Sequence, residues 1–281
     1  MKRATSTGIL IMEQKVILSL SLPLVALLVM CSAAGLLYPE IYDLSTPNWL
    51  TQTVAQDGVN LLLISPVLTV SALYAFQGVK FAFLMWGGTV GYLVYTFLIY
   101  CFSVHFNELF IFYCLVLGLS VFSVVWFIIT QVRTPVVKQL NSPLLNRVTG
   151  VYFIVVSLVF YSLWLLDIIP ALFSSGVPPS LVESGLMTNP VQAIDLSVVL
   201  PLLFMSGIMA VKARPFTAIL IPVILIFFIL MDATIATLTI VMIQNGFGGS
   251  PAVAVIMGIL MLFSVALLIA FVRSNRDELS N

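Results

Sequence analysis

Runs of apolar residues long enough to cross a lipid bilayer recur along the chain, and they constrain its fold more than any other feature. A membrane helix needs about 20 apolar residues to span about 30 Å of hydrocarbon. Such runs occupy roughly residues 16–38, 55–77, 79–103, 108–131, 149–171, 191–211, 215–242 and 252–272. The sequence therefore predicts an all-α membrane protein with eight transmembrane helices, forming a single transmembrane domain over residues 1–281.

The scarcity of charge supports this class. Only 8% of the residues are charged and 61% are hydrophobic, whereas a soluble domain carries about 25% charged residues. A surface so poor in charge would not stay in water, so the lipid bilayer is the expected surrounding. The net charge of zero offers nothing to attract a polyanion, so no nucleic-acid partner is expected.

The basic residues predict the orientation of the helices. With the N-terminus inside, the cytoplasmic segments are 1–15, 78–80, 132–148, 212–214 and 273–281. These segments hold all eleven basic residues of the chain, namely Lys2, Arg3, Lys15, Lys80, Arg133, Lys138, Arg147, Lys212, Arg214, Arg273 and Arg276. Since Lys and Arg mark cytoplasmic loops, both termini are predicted to be cytoplasmic.

The first apolar run also resembles a secretory signal peptide. It has a basic flank and ends in small residues, in the stretch "KVILSLSLPLVALLVMCSAAG". Its apolar part is longer than the roughly 7–15 residues of a signal core. We therefore interpret it as an uncleaved helix; cleavage would leave seven spans and an outside N-terminus.

Cofactor and metal chemistry find little support in the sequence. Cys31, Cys101 and Cys114 lie inside apolar runs without a C-x-x-C spacing, which favours buried small residues. A disulfide between Cys101 and Cys114 stays open, because both lie near outer helix ends. The single histidine, His105, precedes Glu108 by three residues in an outer turn. One imidazole is a poor basis for haem or metal binding, so no cofactor and no metal site are expected.

A weak internal duplication appears when the chain is shifted by 135 residues. The segment 60–81 then falls on 195–216 without a gap, with six identities in 22 positions. The identical pairs are Leu61 and Leu196, Pro66 and Pro201, Leu68 and Leu203, Ser71 and Ser206, Ala75 and Ala210, and Phe81 and Phe216. The pattern indicates parallel repeats over 16–131 and 149–272, as occur in transporter folds, although helices with a central proline also resemble one another by chance.

Four aspartates lie in the apolar runs, all in the predicted outer half, while every basic residue lies inside. A charge at the bilayer centre costs at least about 2.5–3.5 kcal/mol. Asp57, Asp167 and Asp195 lie near helix ends, where water or the helix dipole explains a carboxylate. Asp232 is deeper, so we expect it to face the bundle and to bond a tyrosine of the third span or an amide of the second.

These acids and their polar neighbours form the candidate ligand- or ion-binding set. Pro66 and Pro201 each free a backbone carbonyl and bend a helix, so the two bent helices are expected to flank an acidic, tyrosine-lined cavity open to the outside. The candidate residues are Asp232, Asp195, Asp57, Asp167, Tyr95, Asn60, Gln192 and His105.

Three stretches resemble a family of uncharacterised bacterial polytopic membrane proteins. They read "QDGVNLLLISPVL", "YLVYTFLIYCFSVHFNELFIFY" and "NPVQAIDLSVVLP". The resemblance implies a multi-pass protein of about eight spans in the bacterial cytoplasmic (inner) membrane. It implies no activity and no site residues.

Three functions stay open at this point. The leading hypothesis is binding or transport of a small cation or of a proton-coupled solute, with Asp232 as the responsive group. The alternatives are a membrane enzyme acting on a lipid or quinone headgroup, with carboxylates as acid and base, and a non-catalytic sensor or accessory subunit. No hydrolase, nucleotide-binding or zinc-protease motif occurs. Serine or metal hydrolysis therefore has no positive support, no catalytic residue is identified, and whether the protein is an enzyme stays open.

Overall fold

The computed structural model describes residues 2–137, 142–174, 176–214 and 216–280. Those residues form helices, short turns and no strand. The helices are α1 (Lys2–Leu37), α2 (Pro47–Val59), α3 (Ser65–Phe76), α4 (Lys80–Ser103), α5 (Phe110–Arg133), α6 (Pro143–Ser174), α7 (Pro179–Ser184), α8 (Pro190–Ile194), α9 (Leu200–Val211), α10 (Thr217–Gln244), α11 (Pro251–Ser274) and α12 (Arg276–Ser280).

The prediction of eight membrane-length helices is confirmed for the described residues. The second span begins earlier than expected, at Pro47 rather than near residue 55. The Thr46 hydroxyl accepts the backbone N–H of Trp49 at 3.3 Å, and proline at the first helical position needs no N–H partner. Much of the segment 39–54, which lies between the first two predicted spans, is therefore helix, and the Trp49 side chain is buried.

Two spans are interrupted by π-helical turns. The first π-segment, Asn60–Ile64, joins α2 to α3, and the second, Asp195–Val199, joins α8 to α9. The first is followed directly by Ser65 and Pro66, and the second by Leu200 and Pro201. A proline inside a helix lacks an N–H and clashes with the preceding turn, and a widened turn relieves that conflict.

The two π-segments lie at the same register. Asp195 follows Asn60 by 135 residues, which is the shift that aligns the sequence segments. The second segment also shows how a broken hydrogen-bond ladder is repaired. The Leu196 carbonyl would take its π-type bond from Pro201, which has no N–H, and the Tyr161 hydroxyl donates to it at 3.0 Å instead.

Helices α4 and α10 form the centre of the molecule. They are the most buried spans, at 72% and 61% of their apolar windows. They approach closely at Gly88, where an added Cβ would lie 2.9 Å from the Val223 carbonyl oxygen. Trp86 of α4 is fully buried and donates its indole N–H to the Ser21 hydroxyl of α1 at 2.8 Å. This central pair is the scaffold on which the other helices pack.

The remaining spans pack around this pair in two similar sets. In one set α1 packs on α3 and α5 packs on α4; in the other α6 packs on α9 and α11 packs on α10. The half-helices α2 and α8 cross between the sets, because α2 contacts α10 and α8 contacts α4. Each π-segment therefore follows a half-helix that packs on the central pair.

Candidate functional site

The Asp57 carboxylate of α2 is closed off by tyrosines. It is 1% exposed, and it accepts the Tyr42 hydroxyl at 2.7 Å and the Tyr100 hydroxyl at 2.8 Å. Burial, with the Asp57 charge as a second cause, raises the pKa of the Tyr42 phenol far above its ordinary value, so Tyr42 stays a donor. Gly35 of α1 faces this carboxylate so closely that a side chain there would overlap it. With both oxygens bonded, Asp57 ties α2 to α4 and to the loop after α1.

Asp167 of α6 has a corresponding anchoring role in the second set. Its Oδ2 atom accepts the Ser180 hydroxyl at 2.6 Å and the Gln192 side-chain amide at 2.7 Å. Gln192 of α8 holds the register position of Asp57, 135 residues later. The carboxylate and its two donors therefore join α6, α7 and α8.

Asp195 opens the second π-segment and faces aromatic side chains. Its Oδ2 atom accepts the Trp164 indole N–H at 2.9 Å. Tyr95 of α4 is the other polar side chain that faces it, and Tyr95 is 7% exposed. Asp195 itself is half-buried. The carboxylate therefore lies between α6 and the central helix α4.

Asn60 opens the first π-segment and ends a chain of hydrogen bonds. The Gln56 amide N–H groups donate to Asn60 Oδ1 and to the Tyr92 hydroxyl, both at 3.0 Å. The Tyr92 hydroxyl lies 2.7 Å from the Thr234 hydroxyl of α10. Asn60 is 0% exposed, and its Nδ2 atom has no partner among the described residues. Asn60 is thus a buried donor held in place by its own oxygen.

Asp232 lies in the interior of the bundle, 2% exposed. The expected partner from α4 or α2 is not found among the described residues. The Tyr92 hydroxyl bonds Thr234, two residues after Asp232, and Asp232 Oδ2 has no partner. The Tyr152 hydroxyl, which lies 2.8 Å from the Ser264 hydroxyl, is within electrostatic range of this carboxyl. At its Oδ2 atom Asp232 therefore carries the cost of burial without a hydrogen bond from the described residues to offset it.

His105 lies outside these clusters. It is exposed on the turn between α4 and α5, with Nδ1 at 3.3 Å from the Ser45 hydroxyl. No group of three His, Cys, Asp or Glu side chains is placed to hold a metal ion in the described part of the chain. Cys101 and Cys114 are free.

Several partners were not identified from the sequence. Trp164, Gln56, Ser180 and Tyr42 each form a hydrogen bond with a predicted site residue, and Thr234 forms one with Tyr92, which was not in the predicted set. A signal existed for Trp164, because a tryptophan within a span needs an acceptor for its N–H once it is buried. For the others the neighbour depends on the packing of distant helices.

Comparisons with family models, with curated proteins and with solved structures find no match. The resemblance drawn from the three sequence stretches therefore has no independent support. The fold and the site define a multi-pass, all-α membrane protein, with a set of buried polar residues around α4 and α10.

Proposed function

We propose that this protein binds and transports a small cation, or a solute coupled to protons, across the bacterial cytoplasmic membrane. The observation that carries the proposal is Asp232, a buried carboxylate at membrane depth with an oxygen unpaired among the described residues. Ionisable residues within membrane spans are usually functional. A group that gains and loses a cation or proton is what coupled transport requires.

The physical chemistry of Asp232 supports this role. An ionised carboxylate with no partner is costly in a dry interior, so the side chain is neutral when protonated or paired when a cation is present. Asp57 and Asp167 have protein donors for their charge, which suits them to hold helices. Asp232 is thus the acid whose state depends most on what the protein binds.

A duplication of four plus four helices places the site between two halves, 16–131 and 149–272. The matched π-segments support it, and so do the inner turns, where Gly78 and Ala213 both have positive φ, at 87° and 50°. A positive φ is uncommon for a residue other than glycine, so the match at Ala213 carries weight. In transporters with parallel repeats the substrate site lies at the interface of the repeats.

The solute site in this proposal lies on the outer side of the central pair. Asn60 and Asp195 are the first residues of the two π-segments, and Tyr92 and Tyr95 of α4 face them. The outward-facing opening would lie between α2 and α8. With every basic residue in the cytoplasmic segments and both termini inside, this face is the outer face of the membrane.

The test measures proton movement by the purified protein in liposomes. Gradients of small inorganic and organic cations are imposed one at a time, and the cation that is transported should change the internal pH, reported by a trapped pH-sensitive dye, faster than in empty liposomes. Asp232→Asn should abolish the change, because an amide keeps the shape but cannot bind a proton. Asp43→Asn removes an exposed outer acid and should behave as wild type. Equal pH changes in wild-type and Asp232→Asn vesicles would rule out the proposed role.

A further inference from the structure

The donor and the acceptor of each hydrogen bond around Asn60 can be assigned by counting the protons that each group can donate. The Thr234 hydroxyl is 2.8 Å from the Leu230 carbonyl oxygen, and a carbonyl only accepts, so Thr234 donates its one proton there. Tyr92, 2.7 Å from Thr234, must therefore donate to it. The Tyr92 oxygen is then an acceptor for its other two neighbours, Gln56 and Thr96.

The same counting assigns both amides. Because Tyr92 accepts, Gln56 presents its NH₂ group, and that nitrogen also faces Asn60 at 3.0 Å. Asn60 must therefore accept with its side-chain oxygen, which leaves the NH₂ group of Asn60 without a partner among the described residues. The reversed orientation of either amide would leave two lone pairs or two donors facing each other. The free polar end of the cluster at Asn60 is therefore a donor, fully buried and unpaired among the described residues.

Asp195 has the opposite character at the matching position. It is an acceptor, and it lies among Trp164 and Tyr95. Tyr92 and Tyr95 are three residues apart on α4, and both pack edge-on against Phe227 of α10, with ring centroids at 6.3 and 5.9 Å. Asn60 is linked to Tyr92 through Gln56, and Asp195 faces Tyr95, so the donor end and the acceptor end connect to two tyrosines of α4 that share Phe227 as a neighbour.

We infer that this site takes a small organic cation that also carries an uncharged oxygen, such as an amino alcohol. The inference rests on the proposed function and names its substrate class. The ammonium group pairs with Asp195 and lies against aromatic rings, which attract cations. The oxygen accepts from Asn60. A free anionic group is disfavoured, because no Lys or Arg lies on the outer side in the predicted topology.

The experiment uses two probes of the same shape. Ethanolamine carries both groups, and propylamine replaces the hydroxyl with a methyl group. Equilibrium dialysis of radiolabelled ethanolamine with the purified protein in detergent should show saturable binding. Propylamine should compete about tenfold more weakly, since a buried donor left without an acceptor is unfavourable.

Two variants separate the ends of the site. Asn60→Leu should weaken ethanolamine binding to the level of propylamine and leave propylamine unchanged. Asp195→Asn should weaken both probes. Gln52→Ala is the matched control, because Gln52 is an amide of α2 that donates to Asn48 and takes no part in the hydrogen bonds described around Asn60; its binding ratio should equal that of wild type.

Further measurements distinguish a free amino alcohol from a lipid headgroup, and failure of this inference from failure of the proposed transport function. Glycerophosphoethanolamine carries the same amine on a phosphate and should not compete; competition by it would point to a lipid headgroup and overturn the free amino alcohol. Absent ethanolamine binding, or an unchanged probe ratio in Asn60→Leu, would also overturn the inference, even if Asp232 still controls proton movement. Ethanolamine binding with the expected ratio, without any effect of Asp232→Asn on proton movement, would uphold this inference and reject the proposed transport role.

Discussion

Buried polar residues in this protein differ in whether their polar atoms have hydrogen-bond partners. Asp57 and Asp232 are both buried aspartates in apolar spans, at 1% and 2% exposure. Asp57 has a tyrosine hydroxyl on each oxygen, whereas Asp232 Oδ2 has no partner among the described residues. Burial alone therefore does not tell which acid stabilises the fold.

Replacing each aspartate with leucine should give effects of opposite sign. Asp57→Leu leaves the Tyr42 and Tyr100 hydroxyls without acceptors, so we expect a loss of about 1–3 kcal/mol per stranded group. Asp232→Leu removes an unsatisfied group and should keep or raise stability while function is lost. Thermal unfolding in detergent, followed by tryptophan fluorescence, measures both. A Tm that falls equally in the two variants would show that Asp232 has a structural partner after all.

Gly35 is the second residue whose identity the packing demands. In Gly35→Ala the added methyl group would overlap the Asp57 carboxylate and the Tyr42 hydroxyl, and such overpacking costs about 1–3 kcal/mol. Gly91→Ala is the control, since nothing lies within 4 Å of a Cβ there, and alanine is the better helix former by about 0.5–1 kcal/mol. The Tm should fall in the first variant and hold or rise in the second.

At the scale of elements, the π-segments explain how spans interrupted by proline stay ordered in a membrane. In the second, the Leu196 carbonyl relies on Tyr161 and the Leu200 carbonyl accepts the Ser157 hydroxyl at 2.8 Å. Backbone groups that a proline frees in a membrane helix are satisfied by side chains of neighbouring helices. The interruption is therefore part of the contact between α6 and α9.

This repair predicts a rescue between two positions. Tyr161→Phe should lower stability by about 0.6–2 kcal/mol, the range of hydrogen bonds between membrane helices. Adding Pro201→Ala should recover part of that loss, because an alanine at that position supplies the missing N–H. Thermal unfolding of the single and double variants gives the coupling energy. Losses that simply add would mean that Tyr161 does not substitute for the proline N–H.

For the molecule as a whole, the topology rests on the one-sided basic residues. A reporter active only outside the cytoplasm should give no signal when fused after Asn281, because both termini are predicted inside. The same reporter placed in the turn between α10 and α11, at Gly248, should be active. A strong signal at the C-terminus would reverse the predicted orientation and move the polar site to the cytoplasmic side.

The sequence by itself determined the class of the protein and the position of its spans. The length of an apolar run is a local property, and eight such runs specify eight helices wherever the chain packs them. The positions of the two π-segments are also set locally, because each is caused by its own proline. The two prolines are 135 residues apart, and so are the two π-segments.

Only the tertiary structure decided which polar groups meet. The Tyr92 and Thr234 hydroxyls lie 2.7 Å apart although 142 residues separate them in the chain, and nothing local to either residue indicates the other. For this reason the expected partner of Asp232, a tyrosine of the third span or an amide of the second, is not found among the described residues: the Tyr92 hydroxyl bonds Thr234 instead. Hydrogen bonds are short-ranged and directional, so a carboxylate's partners depend on how distant helices pack. In this protein the packing of α4 against α10 decides those partners.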